Sequence, residues 1–171
     1  MQDDYLQISG IIEESIVDGP GYRFTVFTQG CPHSCKGCHN PQTIPMQGGK
    51  LVHIKDIFER FKINPLLRGI TLSGGEPFIQ AKPLAKLAKM VKQTGKDIVT
   101  YTGYIYETLV EGADKKNGWA ELLKETDFLI DGPFILEQKS LNLKFRGSQN
   151  QRIIDIKKSE KAGKAVTADT L

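Results

Sequence analysis

The chain has 171 residues, 39% of them hydrophobic and 25% charged, with a net charge of +3. That length supports one domain burying roughly 70% of the surface its unfolded chain exposes, so no cross-link is needed for stability. So small a charge gives no argument for nucleic acid, residues 1 to 20 lack a basic-then-apolar leader pattern, and no apolar run reaches bilayer length; a cytoplasmic protein with neither nucleic-acid nor membrane partner is expected.

Leu6 to Ile16 mixes apolar and acidic residues and reads as an edge strand, followed by a turn cluster at Asp18-Gly19-Pro20-Gly21. Arg23 to Gln29 is rich in β-branched and aromatic residues and stops at Gly30, which predicts a strand. At the carboxyl end of that strand stand the chain's 3 cysteines, in Cys31-Pro32-His33-Ser34-Cys35-Lys36-Gly37-Cys38. A reducing compartment keeps such clustered thiols unpaired, so a disulfide framework is the weakest reading. Three soft thiolates on one tight loop suit a metal or an iron–sulfur cluster. On spacing alone two possibilities stand open: a structural zinc site completed by His33 or His39, or a four-iron cluster with one iron left without a protein ligand.

Pro45 to Lys50 reads as a glycine-containing connection. Ile54, Ile57, Phe58 and Phe61 recur at amphipathic helical spacing, and Gly69 to Leu72 is a short apolar strand ending in the loop Ser73-Gly74-Gly75-Glu76-Pro77. A second helix opens near Pro83 and closes at Gly95, with Lys82, Lys86, Lys89, Lys92 and Lys96 along one side. Then come a strand over Asp97 to Thr102, a helix through Ile105 and Leu109, a polar loop at Asp114 to Gly118, and a helix containing Trp119, Leu122 and Leu123. A strand over Asp127 to Ile130 ends in Asp131-Gly132-Pro133, and a last strand spans Arg152 to Ile156.

Strands alternating with helices predict βαβ units and a parallel sheet. About five strands cannot close an eight-stranded barrel, so a partial, open parallel β/α barrel is expected, with its mouth at the carboxyl ends of the strands. One domain over residues 1 to 156 is expected, with 157 to 171 as a mobile tail.

The spacing of Cys31, Cys35 and Cys38, with Val17 to Arg23, Gln29-Gly30, His39-Asn40-Pro41 and Ser73 to Pro77, resembles the radical S-adenosylmethionine enzymes that activate glycyl-radical enzymes. Asp131 to Phe134 and Arg146 to Arg152 look like the branch that acts on the anaerobic ribonucleoside-triphosphate reductase. A glycine at position 37, where most of the superfamily carries an aromatic residue, is similar to that branch. The resemblance implies that Cys31, Cys35 and Cys38 hold a [4Fe-4S] cluster and that S-adenosylmethionine chelates the fourth iron. It implies reductive cleavage of that cofactor and transfer of a radical to a glycine of the reductase large subunit.

Within this implied site, Gly37, Gly74, Gly75, Glu76, Thr102 and Arg146 are the candidate cofactor-binding residues. Gly74 and Gly75 lack Cβ atoms, which would let backbone approach the methionine moiety. Glu76 either touches the ligand or pins its own loop. The Arg146 to Arg152 segment either contacts the ligand or is held by its own hydrogen bonds. The lysine stripe is either a solvated helix face or a docking patch for a flavodoxin or ferredoxin-type electron donor. An activator of pyruvate formate-lyase or another glycyl-radical enzyme is the alternative within the family, and a non-enzymatic zinc or iron–sulfur module the alternative outside it.

Overall fold

The computed structural model describes residues 2 to 168. Its first strand, β1 (Tyr5–Ser15), runs antiparallel to β2 (Arg23–Thr28), pairing Ile12 with Thr25. On its other side β1 pairs with β3 (Lys50–His53), Leu6 opposite Val52, again antiparallel. β1 is therefore an interior strand, and the edge is β3, which begins at Lys50, the last residue of the expected connection, and takes in Leu51 to His53, for which no strand was expected.

From β2 the sheet becomes parallel. β4 (Gly69–Gly74) aligns Ile70 with Phe24, β5 (Asp97–Tyr101) aligns Ile98 with Ile70, and β6 (Phe128–Asp131) places Leu129 beside Thr100. β7 (Arg152–Asp155) returns antiparallel against β6, with Ile154 opposite Leu129. The sheet order is β3-β1-β2-β4-β5-β6-β7, open at both ends. The expectation of a parallel sheet of about five strands is corrected: four central strands are parallel, and antiparallel strands extend both flanks. Only a single 3-10 turn at Leu136–Gln138, and no α-helix, separates β6 from β7, and a strand that returns without a crossover pairs antiparallel.

Strand residues alternate between two faces. Phe24, Val26, Ile70, Leu72, Ile98 and Leu129 meet the helices α1 (Ile54–Lys62), α2 (Ala81–Lys92) and α4 (Trp119–Glu125) in one apolar core. From α2, Leu84, Leu87, Ala88 and Val91 are completely buried there. The opposite face carries Arg23, Thr25, Thr71 and Tyr101, and the chain between β1 and β2 folds over it. Thr71 Oγ1 donates to the Asp18 carbonyl at 2.7 Å, and the buried Arg23 guanidinium donates to Pro20, Thr71 and Ile70 while pairing with Asp97 at 2.6 Å.

The helix predicted near Leu109 is α3 (Tyr106–Gly112). Residues beyond the last strand also depart from expectation. α5 (Ile156–Ala162) is capped by the Asp155 side chain, which accepts the Lys158 N–H at 2.9 Å, and ends at Gly163 in the left-handed region. Ile156 and Ser159 are buried, and Thr167 bridges to Ile154, so residues 157 to 168 are anchored to the sheet. The remainder of the expected tail, 169 to 171, lies outside the described residues. No described helix is long and apolar enough to cross a membrane.

Candidate active site

The cysteine loop is a closed excursion from the end of β2. Gly30, at φ +96°, turns the chain out of the sheet. Its N–H donates to Thr43 O at 2.7 Å, and the Cys31 N–H donates to Ile44 O at 3.0 Å, closing the stem. The Gln29 side chain, buried beside the stem, donates to the Gln42 and Pro45 carbonyls. Inside the excursion two left-handed residues, Ser34 at φ +49° and Gly37 at φ +74°, turn the chain back, and the Cys38 N–H reaches Cys35 O. At Gly37 a Cβ would stand 3.0 Å from Leu136 Cδ1, so a small residue suits both the turn and its neighbour.

The three thiols are unpaired and half-buried, and all face one open cavity of about 510 Å³. Ser73, Gly74 and Gly75 line the same cavity, as do Thr102, Gly103, Phe134, Phe145 and Arg146. Residues from the ends of β2, β4 and β5 and from the 132–151 segment thus converge on the rim expected from the sequence. Burial pushes the Cys31 thiol up from its ordinary value, reinforced by the negative charge of Glu76 and of the other two cysteines and opposed by the His33 N–H. The Asn40 N–H donates to Cys38 Sγ at 3.4 Å.

The β4 loop is bonded directly onto the root of the cysteine loop. The Gly75 N–H donates to Thr28 O and the Glu76 N–H to Gly30 O, both at 2.8 Å. A Cβ on Gly74 would fall 2.5 Å from Thr28 N, and one on Gly75 would fall 2.8 Å from the Gly30 carbonyl carbon and closer still to its oxygen. The absence of side chains here is therefore required by the neighbouring strand end, where the sequence suggested that it served the ligand.

Glu76 is completely buried. It accepts from the Phe78 N–H at 3.0 Å, the Gly103 N–H at 2.9 Å and the Thr102 hydroxyl at 2.9 Å, and His33 Nε2 lies 2.6 Å from its Oε2. Both carboxylate oxygens and the Thr102 hydroxyl are thus committed to protein partners. Arg146 Nη1 donates to Gln151 O at 3.1 Å, while its buried Nε has no hydrogen-bond partner among the described residues. Around it, Gln151 Oε1 accepts from the Gly147 and Ser148 amides, Asn150 donates to Pro133 O, and Tyr101 holds the Phe145 carbonyl at 2.7 Å. The Arg146 to Arg152 segment is held largely by its own bonds, with one cationic donor left over.

Two of the sequence's other candidates are diminished. Among the described residues no three of His, Cys, Asp and Glu converge on a single-ion site. A tetrahedral zinc needs its ligands about 2.0–2.3 Å from one point, whereas a cubane takes each thiolate on a different iron and does not need that convergence. His33 is engaged with Glu76, and His39 packs on Phe134 at 4.8 Å. Along the lysine stripe, Lys86 pairs with Asp4 and Lys92 with Asp127, so two of its five charges are locally balanced, and Lys96 donates to Pro65 O. Gly103 and Tyr104 are site residues that sequence reasoning gave no role, and His33 entered it only as a possible zinc ligand; only the fold brings Gly103 and His33 onto Glu76 and Tyr104 onto the His33 ring.

A family described as the 4Fe-4S single cluster domain matches residues 17–154. The anaerobic ribonucleoside-triphosphate reductase-activating protein of Haemophilus influenzae is 38% identical over 148 residues, covering 81% of this chain and 90% of that protein. The protein of the same name from Vibrio cholerae is 40% identical over 146 residues, with the same coverage. The pyruvate formate-lyase-activating enzyme of Clostridium pasteurianum is 33% identical over 130 residues, which are 72% of this chain but 50% of that enzyme. A chain carrying this cluster domain, three cysteines on one cavity and near full-length similarity to those activators belongs to the family of anaerobic ribonucleoside-triphosphate reductase-activating proteins.

Proposed function

We propose that this chain is a radical S-adenosylmethionine activase that installs a glycyl radical on the large subunit of an anaerobic ribonucleoside-triphosphate reductase. Its sheet would be the open, partial barrel of the radical S-adenosylmethionine type. The observation that carries the reading is the shared cavity: Cys31, Cys35 and Cys38 line it together with Gly74 and Gly75, at the carboxyl ends of adjacent parallel strands.

The donor set fits the implied cofactors. Three soft thiols would hold three irons of a [4Fe-4S] cluster, leaving the fourth for the amino and carboxylate groups of S-adenosylmethionine. When bound, the reduced cluster would supply the electron for reductive cleavage of this cofactor, the chemistry from which a glycyl radical on the partner is made. The chain's own residues orient and exclude. The amides of Gly75 and Glu76 fix the β4 loop against the cysteine stem, and Arg146, with Nε unpaired beside the cavity, would donate to the cofactor's carboxylate. Phe134, Leu143 and Phe145 give the cavity an apolar wall that would help to exclude water once the cofactors fill it. Glu76, fully engaged by protein, holds the loop together instead of touching the ligand. Electrons would come from a flavodoxin or ferredoxin-type donor.

The reductase is favoured over pyruvate formate-lyase because this chain spans nine-tenths of the former's activators and half of the latter's. Anaerobic reconstitution with iron and sulfide, followed by dithionite and S-adenosylmethionine, should give a brown protein that releases 5′-deoxyadenosine. With the reductase present, a glycyl-radical signal should appear by electron paramagnetic resonance. Cys35→Ala should lose colour and cleavage together. A brown protein that never cleaves the cofactor would leave only a binding module, and a radical on pyruvate formate-lyase but not on the reductase would move the target.

A further inference from the structure

Between the first two cysteines, the loop sends one side chain inward. His33 projects from the cysteine excursion into the space between the β4 loop and the segment after β5, where its Nε2 meets Glu76 Oε2 at 2.6 Å. That oxygen also faces the Gly103 N–H, which can only donate, so the carboxylate is the acceptor and the imidazole the donor. The remaining partners of Glu76, the Phe78 and Gly103 amides and the Thr102 hydroxyl, belong to the body of the protein. Among the described residues, this is the one side-chain hydrogen bond that ties residues 32 to 37 to anything outside the excursion.

The pocket for the ring is built around it. A Cβ on Gly103 would lie 2.7 Å from His33 Cγ, so only glycine leaves room for the imidazole. The ring meets the Tyr104 edge at 4.5 Å with an interplanar angle of 76°, and Tyr104 packs in turn on Trp119, whose indole donates to Phe78 O at 2.9 Å. Phe78 follows Glu76 on the same turn, so the aromatic chain and the carboxylate brace the ring from two sides.

We infer that His33 is a positioning residue: its hydrogen bond to Glu76 latches the turn between Cys31 and Cys35 onto the β4 loop and sets the spacing of those thiols before any cluster arrives. The motif's glutamate then serves the cluster through the loop that carries it. This inference rests on the proposed cluster site, but the latch itself belongs to the metal-free chain.

The test separates the two. In anaerobically purified apoprotein, alkylation of Cys31 and Cys35 by iodoacetamide and hydrogen exchange over residues 32 to 37 report the latch without any cluster. In reconstituted protein, the rate at which an iron chelator bleaches the cluster reports its consequence. Three variants differ in reach. His33→Gln carries an amide donor at nearly the same distance, His33→Asn is one methylene short, and His33→Phe keeps the ring packing without a donor. Loss of one bond to a buried carboxylate should raise alkylation and bleaching roughly tenfold in the Asn and Phe variants, with rescue by Gln and an unchanged midpoint of global unfolding.

Equal alkylation and exchange in native, Asn and Phe proteins would overturn the latch. So would equal loss in Gln and Asn, which would make ring packing the operative contact. Should the Phe variant fail to fold, the Gln and Asn pair decides alone. If the native protein takes up no iron while the alkylation pattern holds, the cluster reading fails and the latch stands.

Discussion

Replacing Gly75 by Ala isolates the contact that joins the two motifs. The position has no left-handed backbone, so any cost is steric. Its new methyl would collide with the Gly30 carbonyl and come within 3.1 Å of Thr28 O, both backbone atoms that cannot swing aside. The loop must withdraw, loosening the bonds from Gly75 to Thr28 and from Glu76 to Gly30. Two such bonds are worth about 2 kcal/mol together, and backbone displacement in a packed region adds about 1–3 kcal/mol. The expected loss is therefore about 3–5 kcal/mol, against a total stability of about 5–15 kcal/mol. A drop of about 6–20 °C in Tm should accompany it. Urea unfolding of the apoprotein, followed by circular dichroism, measures the loss without involving a cofactor. Gly10 and Gly95 provide the scale. A Cβ at either meets nothing within 4 Å, but Gly95 sits at φ +80°, so Gly10→Ala should be near neutral and Gly95→Ala should cost about 1–2 kcal/mol of strain. A Gly75→Ala protein no less stable than Gly95→Ala would refute the steric argument and return this glycine to the ligand.

Arg152 clasps Asp131, which is 1% exposed, and reaches on to Glu107. Arg152→Met strands the buried carboxylate and should cost about 3–5 kcal/mol in the same unfolding assay. The guanidinium holds Glu107 below the ordinary carboxylate range, so this pairing stabilises at neutral pH and fades as pH falls through the lowered value. Since Glu107 is half-exposed, the fading step should stay below about 1 kcal/mol in native protein and vanish in Arg152→Met. For Cys31, whose thiol is raised by burial, half-maximal alkylation in the apoprotein should need a pH above the ordinary thiol value of about 8.5. Mass spectrometry of iodoacetamide adducts across pH checks this, and half-maximal reaction of Cys31 at or below that value would contradict it.

The strands that end in glycine were legible as sequence. β2 and β4 combine β-branched and apolar runs with a hard stop, and those stops place the cysteines and Gly74-Gly75 on one rim. α1 was legible because three of its four periodic residues, Ile54, Ile57 and Phe61, became core, while Phe58 packs against that core from a partly exposed position. β3 was not, since Lys50 to His53 owes its conformation to pairing with β1 far away in sequence. α5 was missed although its signals were present: Asp155 caps it and Gly163 ends it, but only Ile156 and Ser159 turn inward, too few to give a period. In the site, the cysteines announced themselves by spacing. Most partners of Glu76 did not: Phe78 is local, two residues on, but Thr102, Gly103 and His33 are scattered along the chain and meet through the parallel register of β2, β4 and β5.

The stem formed by Gly30 and Cys31 against Thr43 and Ile44, buttressed by the Gln29 side chain, makes the segment between them a closed ring. Its closure draws nothing from the thiols, and the sheet below is complete without it. Destruction of a cluster by oxygen would then be a wound confined to the ring: the apoprotein keeps its register and its helices, and the same polypeptide can be refitted with iron and sulfide without passing through the unfolded state. Repair by reconstitution is in this sense written into the fold: the ring stays latched to the β4 loop while its contents are replaced.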